Sequence, residues 1–162
     1  MEFKNPLLVV KDLQTSLKFY QEVLGLEIVL NFGANVTLTG GISLQTEESW
    51  LEFLEMPESA LRFGGNDAEL YFETDDFDGF VQTVEQRGVP VAHPPLEHRW
   101  GQRVVRIYDP DRHILEVAEP MTAVCRRFRE GGLSVEGVAR RMNVPVEYVK
   151  KCLQANKSDW LP

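Results

Sequence analysis

The apolar positions of the first 120 residues change their period twice, in the same order each time. In "VVKDLQTSLKFYQEVLGLEIV" a short apolar run gives way after Asp12 to a stripe of Leu13, Leu17, Tyr20 and Leu24 at helical spacing, closed by Gly25. A carboxylate ahead of such a stripe caps free backbone N–H groups, and a glycine behind it takes the left-handed conformation that ends a helix. The stretch therefore predicts a strand, a helix and a stop. "FETDDFDGFVQTVEQRGVPV" repeats the pattern, with Asp76 as the cap, Phe77, Phe80, Val81 and Val84 as the stripe, and Gly88 as the stop. The two caps lie 64 residues apart and the two glycines 63. Behind the helices come short runs of strand character: "LEIVLNF", "ANVTLTG" and "GISLQT" in the first copy, "RVVRIYD" and "HILEVAE" in the second. The pattern predicts an α+β fold of tandem β-α-β-β-β modules at about residues 1–60 and 66–120.

Two segments fall outside the repeat. "TEESWLEFL" reads as a short helix capped by Thr46, with Trp50, Phe53 and Leu54 as packing residues. His93 and His98 fall in or near a Pro-rich loop, followed in "EHRWGQR" by Trp100, an aromatic suited to a pocket wall.

Beyond Pro120 the rhythm changes. "GLSVEGVARRMNVPVEYVKKCLQ" gives Ser134 as a cap, a stripe of Val135, Val138, Ala139 and Met142, a turn at Asn143-Val144-Pro145, and a second stripe of Val146, Val149 and Leu153. This is a helical hairpin with the outline of a helix-turn-helix. Charge changes at the same place: residues 1–120 hold 9 Lys+Arg against 21 Asp+Glu, a balance of −12, and residues 121–162 hold 8 against 4, a balance of +4. The division is thus a domain over 1–120 and a basic helical extension over 121–162. The acidic part is a poor match for nucleic acid, and the second hairpin helix opens with Glu147 and few base-reading side chains, so no nucleic-acid partner is expected. Cys125 and Cys152 form neither a disulfide framework nor a metal clip, and no apolar run approaches the roughly 18 residues of a membrane span. The expected setting is the cytoplasm.

The candidate chemistry centres on "YDPDRHILEVAEP". Asp109-Pro110-Asp111 is turn chemistry, and in the strand behind it Glu116 stands between Leu115 and Val117. A carboxylate on a packed face needs a partner, whereas one facing a pocket is available for chemistry. Alternation in "RVVRIYD" sends Val105 and Ile107 to one face, Arg106 and Tyr108 to the other.

With "VVKDLQTSLKFYQEVLGL" and "YDPDRHILEV" the chain resembles the vicinal oxygen chelate superfamily, which includes glyoxalase I, bleomycin-resistance proteins and extradiol dioxygenases. The resemblance covers about residues 3–119. It implies a cupped mixed sheet with helices on the convex face, a ligand or metal on the concave face, and a homodimer as the default assembly. Carried over position by position, the superfamily's metal-ligand sites fall on Asn5, Gln45, Glu69 and Glu116, and Asn5 and Glu69 are again 64 residues apart. None is a histidine. Two amides and two carboxylates suit zinc or nickel poorly, although an oxygen set can hold Mg²⁺ or Mn²⁺ weakly. The favoured expectation is a metal-free cup in which Arg106 takes the place of the cation beside Glu69 or Glu116. Glu116 and Glu69 are the candidate catalytic groups, and Asn5, Gln45, Arg106, Tyr108, Tyr71, Trp100 and His98 the candidate ligand contacts. The implied function is small-molecule binding of the bleomycin-resistance kind. A glyoxalase-like lyase or isomerase with Glu69 or Glu116 as proton shuttle is the alternative, and a ligand-sensing regulator with the hairpin as effector is a third reading.

Overall fold

The computed structural model describes residues 1–155, and positions 156–162 of the extension lie outside the described residues. Among the described residues the elements run β1 (Leu7–Val10), α1 (Leu13–Glu22), β2 (Ile28–Asn31), β3 (Asn35–Leu38), β4 (Ser43–Thr46), α2 (Glu47–Leu54), β5 (Glu69–Glu73), α3 (Phe77–Gln86), β6 (Val91–Glu97), β7 (Arg103–Tyr108), β8 (Ile114–Ala118), α4 (Met121–Glu130), α5 (Val135–Met142) and α6 (Val146–Gln154). The strands form two four-stranded sheets of matching order, β1-β4-β3-β2 and β5-β8-β7-β6. The chain divides into two compact units, residues 1–69 with 108–114, and residues 70–107 with the chain from Leu115 onward.

In the first unit, Asp12 accepts from the Thr15 amide at 2.6 Å and so starts α1, which buries Leu13, Ser16, Leu17 and Tyr20. The parallel pairing of β1 with β4 sets Val9 opposite Gln45, and β3 runs antiparallel to both β4 and β2. Val10, Val36, Leu38, Ile42 and Leu44 form the apolar centre. The "DPD" turn does more than reverse the chain. Asp109 Oδ2 accepts from the Tyr20 hydroxyl at 3.0 Å, its Oδ1 accepts the amides of Asp111 and His113, and Asp111 accepts the Lys11 amide and the Ser16 hydroxyl. Two buried carboxylates thereby bind residues 108–114 to α1, each with the partners that burial requires. Burial pushes the Tyr20 phenol up, and the charge of Asp109 adds to the effect.

In the second unit, Asp76 caps α3 through the Gly79 amide at 2.9 Å, as Asp12 caps α1. The histidine-bearing segment read as loop is strand β6, and its Pro94-Pro95 pair is tolerated because β6 is the edge of its sheet. Among the described residues the extension contributes three helices rather than a hairpin alone. Val124, Cys125, Val138, Ala139, Met142, Val149 and Cys152 from α4, α5 and α6 make a core of their own. The hairpin is built as its sequence predicts, with Ser134 accepting from the Gly137 amide and Asn143 in the left-handed conformation.

The reading of "TEESWLEFL" needs correction. The helix exists, but Phe53 is 71% exposed and Leu54 41%, since eight residues form barely two turns and offer little packing surface. The Thr46 hydroxyl shares a hydrogen bond with the Ser49 hydroxyl, at 2.9 Å, and caps no backbone amide.

Candidate functional site

Glu116 lies on β8, 6% exposed, and its Oε2 forms an ion pair with Arg106 Nη2 on β7. Arg106 Nη1 lies 3.1 Å from His93 Nε2, and the strand register sets His93 opposite Arg106. A guanidinium only donates, so His93 Nε2 accepts, which leaves Nδ1 as the protonated nitrogen donating to the Pro94 carbonyl at 2.8 Å. Three strands therefore carry one ordered line, neutral imidazole, guanidinium and carboxylate. Glu116 is paired with a cation whose own orientation His93 fixes.

Beyond β6 the chain turns back tightly, with the His98 amide bonded to the Gln102 carbonyl at 2.8 Å and the Gly101 amide to the His98 carbonyl at 2.7 Å. The turn stacks the His98 ring on Trp100, centroids 4.2 Å apart and planes inclined by 18°. Burial lowers the pKa of His98, and the charge of Arg106 and the proximity of His93 lower it further, which keeps the stacked ring neutral. Gln102, 7% exposed, organises the surroundings. Its oxygen accepts from Trp100 Nε1 at 3.1 Å, and its nitrogen donates to the Tyr71 hydroxyl at 3.0 Å and the Glu119 carbonyl at 2.9 Å. Tyr71 in turn donates to Glu73 at 2.9 Å, and burial with that carboxylate pushes its phenol up to about 12.

Of the residues singled out from sequence, Arg106, Glu116, Tyr71, Trp100 and His98 thus belong to one unit. The others belong to the first unit. Asn5 donates to the Ser43 hydroxyl at 2.7 Å, and Gln45, 4% exposed, accepts from Asn35 and donates to Ser49, both at 3.1 Å. Tyr108 donates to Asn66 at 3.0 Å, with the Arg112 guanidinium 3.8 Å above its ring. Glu69 opens β5 and is exposed. His93 and Gln102 were not among the sequence candidates. The repeat offset of 63 would have found the strand of His93, since it carries Ile28 of β2 onto Val91 of β6. Gln102 sits in a charged turn where no periodicity marks it.

The residues of the carried-over set do not suit a resident transition metal. Two are amides oriented by local hydrogen bonds, and Glu116 already neutralises a guanidinium. Among the described residues no group of three or more His, Cys, Asp or Glu is placed to hold a metal ion.

The sequence profile of the Glyoxalase-like domain family matches residues 3–122. The chain belongs to this family. A crystal structure of an Agrobacterium tumefaciens protein of unknown function is similar at 36% identity and a TM-score of 0.67, over 74% of this chain and 94% of that one. Virulence protein STM3117 of Salmonella typhimurium is 29% identical over 125 residues, which is 70% of this chain and 80% of that protein. A glyoxalase/bleomycin resistance protein/dioxygenase from Nocardioides shares the fold at 20% identity, with a TM-score of 0.60 over 74% of this chain and 83% of its own. The glyoxalase-like match ends at the second residue of α4, so α5 and α6 lie wholly beyond it. No helix among the described residues is long and apolar enough to cross a membrane.

Proposed function

We propose that the chain is a small-molecule binding protein of the glyoxalase/bleomycin-resistance type, with its ligand on the β6-β7-β8 face and the following turn. The observation that carries this reading is the line His93–Arg106–Glu116 beside the stacked His98–Trp100 pair. Stacked rings favour a planar aromatic group, and an anchored carboxylate in a strongly acidic domain favours a cationic or hydrogen-donating one. Glu116 is engaged by Arg106, which favours its use as a fixed acceptor over its use as a proton shuttle. The protein acts in the cytoplasm as a homodimer, and the dimer contact falls on edge strand β2, where Ile28, Val29 and Leu30 are exposed and Phe32, just beyond the strand, is 74% exposed.

The test is a fluorescence titration with ethidium, a planar cation, against anilinonaphthalene sulfonate, a planar anion. Ethidium binds the wild type, and Glu116→Gln and Trp100→Ala each weaken it at least about tenfold, equivalent to about 1.4 kcal/mol, at little change in melting temperature. Equal binding of ethidium by all three proteins would refute the placement. Turnover of a methylglyoxal–thiol adduct that Glu116→Gln abolishes would replace the binder by a lyase or isomerase.

A further inference from the structure

The extension is basic, and two of its arginines converge on one feature. Arg127 of α4 donates from Nη2 to the Gly101 carbonyl and to Glu119 Oε2 at 2.9 Å, and its Nη1 lies 3.4 Å from Glu97 Oε2. Arg141 of α5 donates from Nη1 to the Arg99 carbonyl, and its Nη2 meets the other oxygen of Glu97 at 2.6 Å. Arg99 and Gly101 are the two chain neighbours of Trp100. Phe128 of α4 lies with the guanidinium carbons of Arg127 and Arg141 at 5.0 and 5.1 Å from its centroid. Its ring fills the space where Gly101 has no side chain: a Cβ there would stand 2.2 Å from Phe128 Cζ, and φ at Gly101 is +93°. Glu119, 4% exposed, links the contact back to the sheet, since it also pairs with Arg103 at 2.7 Å.

We infer that the C-terminal helices are a clamp on the ligand-binding turn: Arg127, Arg141 and Phe128 are positioning residues that hold residues 97–102 in the conformation in which His98 stacks on Trp100. The inference rests on the proposed ligand face for its consequence, and on the hydrogen bonds above for its geometry. Carbonyls on both sides of Trp100 find their donors on arginines beyond the glyoxalase-like match. Bonds from a cation to such groups are strong, and two arginines sharing Glu97 fix both direction and distance. Other basic groups of the extension also have partners within the chain. Arg126 bonds the Ala155 carbonyl, Arg129 the Leu133 carbonyl and Lys150 pairs with Glu147, so these groups, like Arg127 and Arg141, act within the chain. Binding and loop order are then reciprocally linked: a ligand that selects the stacked turn also favours docking of the helices.

The experiment uses the full chain with Arg127→Met and Arg141→Met combined, and Arg140→Met, on the exposed surface of α5, as the control. Amide exchange is read at residues 98–102, and ethidium affinity in parallel. Exchange of the Gly101 amide is expected to quicken at least about tenfold in the double variant, with ethidium bound about tenfold more weakly, while α1 exchange and the control are unchanged. Exchange at 98–102 that stays at the wild-type rate would overturn the clamp, whatever ethidium does. If exchange quickens but the wild type binds no ethidium, the clamp stands and the ligand assignment falls. Should the double variant fail to fold, Glu97→Gln removes the shared carboxylate without touching the helices, and the same two outcomes decide.

Discussion

The two sheets share a strand order but use one cross-strand position in opposite ways. On β4 of the first unit, Gln45 faces Asn35 across the strands, an amide against an amide, closed off by Ser49. On β8 of the second, Glu116 meets Arg106, and the line continues to His93. A neutral pair with local partners is satisfied by its own strands and the helix that follows, and does little beyond holding them together. A partly buried ion pair is different, because its net stabilisation is small and its chief effect is to fix where charge sits. On the proposed ligand placement, the two modules divide the work, framework in one copy and ligand contact in the other.

Converting the second pair into the first is the strongest way to break this comparison. Arg106→Asn with Glu116→Gln is expected to fold with a stability within about 1–2 kcal/mol of wild type, because both charges leave together. Ethidium binding is expected to fall by a factor of about 100, and a double variant that binds normally would show that the ion pair is framework too. Glu116→Leu alone leaves the guanidinium without its carboxylate and is expected to cost about 2 kcal/mol by urea denaturation, less than for a fully buried pair because the Arg106 side chain is 25% exposed.

The framework copy predicts the reverse balance. Gln45→Met leaves Asn35 and Ser49 each short of a partner and is expected to cost about 1–2 kcal/mol of stability. Ethidium affinity should move by less than about twofold, near the limit of a 0.4 kcal/mol difference. A tenfold loss of affinity in Gln45→Met at unchanged stability would show that Gln45 contacts ligand and that the two copies share the work.

How far the sequence carried this reading depends on the range of the interactions involved. The tandem modules, both aspartate caps and the hairpin at Ser134 were legible because caps and stripes act within about one or two helical turns. The facing of Arg106 and Glu116 was legible as strand alternation. What sequence could not show was pairing at long range. Nothing local marks Arg127 and Arg141 as partners of Gly101 and Arg99, separated by 26 and 42 positions. Their charge instead reads as a solvated or nucleic-acid-facing surface. Pro94 and Pro95 hid β6, because proline argues against a strand unless the edge position is known. Phe53 was read as packing because an apolar residue on a helix usually is, and its exposure depends on what α2 lies against.

The smallest expected effect is a difference of sign between two buried carboxylates, Glu119 at the clamp and Asp111 at the first-unit turn. Burial pulls Glu119 upward, but hydrogen bonds from Arg103 and Arg127 outweigh it and hold the group below its ordinary 4.5. Its stabilisation is therefore present above pH 4.5 and lost as pH falls through the lower folded value. Burial dominates at Asp111 and, with the charge of Asp109, holds it above 3.8 despite bonds from Lys11 and Ser16. Its contribution is complete below pH 3.8 and lost as pH rises through the raised value. Between about pH 3 and 7, urea midpoints of Glu119→Gln should fall further behind wild type as pH rises, while those of Asp111→Asn should gain on wild type. Opposing causes partly cancel at each group, so each trend amounts to a few tenths of a kcal/mol up to about 1. Parallel trends in the two variants would mean that the arginines do not govern Glu119, and the electrostatic link between sheet and extension would lose its basis.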